Sequence, residues 1–161
     1  MARRETLFME TTEVSATRSA GEITEVLIQS GATQIATDYK NGKIVGLRWT
    51  FNADGQDLLF SMPARVDPLF EIFKKRRAGK YGNYLSPADL ISLREKSERV
   101  AWRQLLRWTQ AQLAMMETGM VKPQEVFLPY WQPSGTRTLF EMMEGQRFKA
   151  LSAPSESLSE Q

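Results

Sequence analysis

The spacing of apolar residues changes along the chain, and each change marks an element. Between residues 19 and 31, Ile23, Val26 and Leu27 recur at helical spacing. Ser19-Ala-Gly-Glu22 has the form of a capping box that starts this helix, and Gly31 supplies a left-handed stop. From Gln34 the period falls to two, over 34–39, 43–52 and 56–62, with Asn41-Gly42 and Asp54-Gly55 between the runs. Asn-Gly and Asp-Gly supply the positive φ angles of tight hairpins, so the pattern predicts a three-stranded antiparallel meander. Its middle strand should turn Val45, Leu47, Trp49 and Phe51 to the core and Arg48 outward.

Pro63 ends the third strand, and the apolar stretch 66–73 predicts a short helix leading into a basic loop over 74–84. Ser86-Pro87-Ala-Asp89 announces a second helix, which should run to Glu117 and stop before Gly119. Its apolar stripe is Ala101, Trp102, Leu105, Leu106, Thr109, Leu113 and Met116. Lys122-Pro-Gln-Glu125 predicts a further helical turn, and 138–145 a short last helix. The expected class is α+β: an N-terminal helix, a three-stranded antiparallel β-meander, a long amphipathic helix and short C-terminal helices. The expected organisation is a flexible arm over 1–14, a single α+β domain over 15–150 and a disordered, serine- and glutamate-rich tail over 151–161.

Composition narrows the chemistry. A chain of 161 residues has the size of one domain with one core. It contains neither histidine nor cysteine, which excludes Ser-His-Asp and Cys-His catalysis and every zinc site built on imidazole or thiolate. Asp54 and Asp57 flank a turn, and Ala78-Gly79-Lys80 lacks the first glycine and the hydroxyl residue of a phosphate loop. The reading is therefore a non-enzyme with no metal and no cofactor. With no apolar run of bilayer length and no secretory core after Met1, the expected location is cytoplasmic, and no membrane partner is expected.

Charge is more informative than its net value of +2 suggests. Residues 65–107 hold 11 basic and 5 acidic side chains, a net +6, while the segments on either side are each −2. Lys74, Lys75, Arg76, Arg77 and Lys80, joined by Arg99, Arg103 and Arg107, can neutralise phosphates. Tyr81 and Tyr84 can stack on unpaired bases. Lys43 and Arg48 on the sheet extend the candidate track. The competing reading takes this as a solvated charge run. Trp49 and Trp102 are expected in the core, whereas Trp108, Phe127, Tyr130 and Trp131 are candidates for a contact with another protein, either a second copy or a host partner.

The stretches Ser19-Ala-Gly-Glu-Ile23, Gly31-Ala32, Phe60-Ser-Met-Pro63, Ala101-Trp-Arg-Gln-Leu105 and Glu125-Val-Phe-Leu-Pro129, in this order, span most of residues 15–145. This pattern resembles a family of uncharacterised bacteriophage and mobile-element proteins. The resemblance implies a viral or mobile-element origin inside a bacterial host cell, and carries no catalytic residues. The resulting expectation is a nucleic-acid-binding accessory protein, single-strand or structure selective and most readily a DNA binder, with a homo-oligomer as a candidate assembly. The alternative is a protein-interaction module that docks on a host protein or self-assembles.

Overall fold

The computed structural model describes residues 6–82 and 84–148. The architecture is α+β, in the order α1 (Ala16–Gln29), β1 (Gln34–Lys40), β2 (Lys43–Ala53), β3 (Gln56–Pro63), α2 (Asp67–Tyr81), α3 (Pro87–Glu117), α4 (Pro123–Phe127), a 3-10 turn (Leu128–Tyr130) and α5 (Leu139–Gly145). Among the described residues no helix is long and apolar enough to cross a membrane.

Helix α1 begins one turn before the predicted box. The Ser15 hydroxyl caps it by accepting from the Arg18 amide at 3.2 Å, and Ser19 lies inside the helix, wholly buried. The apolar stripe explains the shift, because Ala16, Ala20, Ile23 and Leu27 share one face and packing extends the helix upstream over Ser19. At its end Gly31, with φ +97°, donates to Ile28 O at 3.0 Å while Ala32 donates to Leu27 O at 2.9 Å. These two bonds satisfy carbonyls the helix would otherwise leave open.

The meander forms as expected, in the order β1-β2-β3 and antiparallel throughout. Asn41 and Asp54 take the left-handed conformation ahead of Gly42 and Gly55, as the two hairpin turns require. Leu47, Trp49 and Phe51 of β2 and Leu58, Phe60 and Met62 of β3 cover one face, against which α1 and the second half of α3 pack. Phe127 completes this core. Its ring meets Trp49 edge-on at 5.2 Å, stacks on Phe51 at 6.1 Å and reaches Phe60 at 5.7 Å and Trp108 at 5.7 Å. Trp131 then bridges antiparallel to Phe60, and Gln132 donates to Leu59 O at 2.8 Å, so a short segment extends the sheet beyond β3.

The predicted basic loop is helical. α2 runs through 74–80 to Tyr81 and stops at Gly82, whose φ is +77°. Lysine, arginine and alanine are good helix formers, and they outweigh the single Gly79. α2 lies antiparallel to the first half of α3. Arg94 reaches back to Asp67 and covers the Phe70 ring at 4.6 Å, Lys96 covers Phe73 at 4.4 Å, and Arg77 meets Asp89 at 3.0 Å. Among the described residues, none of α2 joins the main core cluster, and Phe73 is the one buried apolar side chain on that helix. The hairpin thus stands on a thin apolar contact flanked by ion pairs.

Candidate nucleic-acid interface

Helix geometry sorts the basic residues. At 3.6 residues per turn, Lys96, Arg99, Arg103 and Arg107 fall within about 80° of one another on α3 and span roughly 16 Å along its axis. Beside the N-terminal end of this stripe, Arg76, Arg77 and Lys80 of α2 converge with Lys96 on an open pocket of about 470 Å³. Glu10, Asp89, Phe73 and Leu93 help to line it. Six predicted residues therefore belong to one flank of the molecule: Arg76, Arg77, Lys80, Arg99, Arg103 and Arg107.

The others lie apart. Glu98, about 200° around α3 from Lys96, holds Lys43 at 2.8 Å on the far side of that helix. There Lys43 shares a separate groove with Lys40, Arg65 and Arg94. Arg48 is on the outer face of the sheet, where its Nη2 and Nε donate to Asp38 at 2.7 and 3.0 Å. Neither sheet residue prolongs the track, because each is turned to its own carboxylate. Lys74, Lys75 and Tyr84 line a third depression, and Tyr84 is 80% exposed. The side chain of Tyr81 and the 151–161 tail lie outside the described residues.

Acidic neighbours temper the flank. Arg103, only 14% exposed, donates to Glu22 at 2.8 Å and ties α3 to α1. Arg77 and Asp89 join the two arms of the hairpin, and Asp89 also closes the α3 capping box by accepting from the Ser86 amide at 3.1 Å, while the Ser86 hydroxyl donates to the same carboxylate at 2.6 Å. The Ser86 hydroxyl and amide, then Arg77, hold the Asp89 carboxyl below the usual carboxylate range. Arg107 is exposed and bonds to Gln110 at 2.9 Å. The Nε of Arg99 is shielded from solvent and has no hydrogen-bond partner among the described residues.

Two residues of this flank had not been singled out. Lys96 could have been found, since it stands seven positions before Arg103 on the same stripe. Glu10 gave no signal, because its segment has no period. The arm expected to be flexible over 1–14 is docked from Thr6 onward. Glu10, 15% exposed, accepts from Arg76 at 2.9 Å and Lys96 at 3.3 Å, and Gln104 donates to Phe8 O at 2.8 Å. Burial pushes the Glu10 carboxyl up, but the Leu7 amide, Lys96 and Arg76 together outweigh it and hold the group below its ordinary range.

The candidate protein-contact residues sit differently from expectation. Phe127 is fully buried within this chain, so it is no surface anchor; its neighbours in the sheet claim the ring first. Trp108, Tyr130 and Trp131 are half-buried and pack on the same cluster, with Trp108 and Tyr130 edge-on at 5.6 Å. Compared with known proteins, the chain matches no family model, no curated protein and no solved structure.

Proposed function

We propose that the chain is a non-enzymatic nucleic-acid-binding accessory protein, single-strand or structure selective, that grips a phosphate backbone along the α3 stripe and the distal half of α2. One observation carries this reading: Arg76, Arg77, Lys80 and Lys96 line one pocket at the head of a basic stripe on a rigid helix. Cations spaced along a helix meet successive phosphates, and each contact releases counterions. The family resemblance supports a bacteriophage or mobile-element setting within a bacterial cell, with DNA the first candidate.

The test is fluorescence anisotropy with single-stranded DNA, duplex DNA and RNA oligonucleotides at two salt concentrations. Affinity should fall steeply as salt rises. Binding that ignores salt, or no binding to any oligonucleotide at low salt, overturns the proposal. A second reading, a module that docks on a host protein or on another copy, is favoured by Tyr84 and Ile91, which are 80% and 62% exposed near the tip of the hairpin. A partner that stays bound through high salt and nuclease treatment supports that reading instead.

A further inference from the structure

A second cationic site lies away from the α3 stripe. The turn between β1 and β2, the connection from β3 into α2, and Arg94 and Glu98 of α3 border an open groove of about 770 Å³. Backbone contacts fix its base: Ala64 donates to Val45 O at 2.8 Å, joining the connection to the sheet. Asn41 and Gly42, at φ +52° and +74°, set the turn, and the exposed Lys40 lines the groove beside it.

Four cations and two carboxylates line the groove, a net +2. Both carboxylates are committed. Glu98 accepts from Lys43 through its two oxygens at 2.8 and 3.1 Å, and Asp67 pairs with Arg94, whose guanidinium also covers the Phe70 ring. Lys40 and Arg65 are therefore the surplus. Arg65 lies over the Phe140 ring of α5 at 5.2 Å and meets no carboxylate among the described residues, where Lys40 has neither an ion pair nor a side-chain hydrogen bond. A guanidinium over a ring face still presents its edge N–H donors to an oxyanion, and the ring limits the side-chain order lost on binding. Two unmatched cations in one groove favour a multiply charged anion over a single carboxylate, and a chain of phosphates supplies such charge. Glu98 stands about 200° around α3 from Lys96, so one straight stretch of phosphate backbone cannot follow both the stripe and this groove.

We propose that Lys40 and Arg65 form a phosphate-binding site separate from the α3 stripe, and that it takes a second stretch of phosphate backbone. The natural ligand rests on the nucleic-acid reading, whereas the site itself is a claim about phosphate.

The experiment uses the full chain and its K40A, K40A/R65A and R18A/K122A variants, each melted to confirm folding. Nitrogen-15-labelled protein is titrated with sodium tripolyphosphate and followed by amide shifts, and a 20-nucleotide oligo(dT) is titrated by anisotropy at several salt concentrations. R18A/K122A removes the same charge from outside the groove and so controls for net charge. In the parent, tripolyphosphate should move the amides of residues 40–45 and 64–67. K40A/R65A should bind it about 3- to 10-fold more weakly and should lower the slope of log affinity against log salt for oligo(dT) by roughly two, with a much smaller change in R18A/K122A. K40A alone breaks no side-chain contact, and its expected loss of about 2- to 3-fold keeps the test valid where removing Arg65 from Phe140 loosens α5. If tripolyphosphate responds in this way while oligo(dT) binds no variant, the site stands and the nucleic-acid reading falls. If oligo(dT) binds and the two double variants weaken both probes equally, the reading stands and the site is overturned. A loss for tripolyphosphate with the oligo(dT) slope unchanged overturns a phosphate backbone as the ligand of this site. If neither probe binds any folded variant, both the site and the reading are overturned.

Discussion

A single phenyl ring closes the core, and its neighbours predict what its loss does. Phe127 touches Trp49, Phe51, Phe60 and Trp108, and removing it leaves a void lined on four sides by rings that cannot all collapse inward. Phe127→Ala should cost about 3–5 kcal/mol, seen as a lower guanidinium midpoint with the slope unchanged. Spacing could not reveal this burial, because one aromatic residue on a five-residue helix has no period to read. The carboxylates of Glu10 and Asp89 give a second prediction. Both titrate below their ordinary range, so each contributes its stabilisation fully above about pH 5 and loses it as pH falls through the lowered value. Melting temperature should therefore drop on acidification below about pH 5, and the drop should be shallower in E10Q and in D89N than in the parent.

At the scale of elements, the meander was legible to within a residue or so of each strand end because turn chemistry is local: Asn-Gly and Asp-Gly fix both hairpins without help from packing. The long helix was legible at both ends for the same reason, with Ser86 and Asp89 closing its start and Gly119 its stop. The 74–80 segment, expected as a loop, is helical because lysine, arginine and alanine are strong helix formers that carry the single Gly79 with them. The start of α1 was misplaced because two serines four residues apart compete as caps and packing chooses between them. Ser86→Ala should cost about 1 kcal/mol and act mainly on the hairpin, which has little core of its own. Native-state amide exchange tests this. The amides of α2 should exchange at a lower opening free energy than those of β2 in the parent, and the gap should widen in the variant.

For the whole molecule, a net +6 in one third of the sequence does not become one basic surface. The fold spreads these side chains over two sides of α3 and a third depression, and sets a carboxylate beside many of them. Sequence gives the amount of charge in a segment, but the helix phase that separates Arg94 from Lys96, and the partners arriving from residues 10 and 22, are tertiary facts. The stripe of Lys96, Arg99, Arg103 and Arg107 was open to reading, through its helical spacing. Arg107 is the sharpest whole-molecule probe, being exposed and bonded to the Gln110 amide oxygen, with no carboxylate partner among the described residues. Arg107→Ala should leave the melting temperature within about a degree of the parent, as surface substitutions do. It should lower the slope of log affinity against log salt for an oligonucleotide by roughly one.

The position of the closing ring also bears on how the chain is made. Trp49, Phe51 and Phe60 leave the ribosome more than sixty residues before Phe127 does. Throughout that interval of synthesis one side of the aromatic cluster has nothing to cover it, even after α1 and α3 have settled on the sheet. The nascent protein therefore carries a sticky, incompletely sheltered face until its last helices emerge, which is the stage at which chaperone capture or clumping should be greatest.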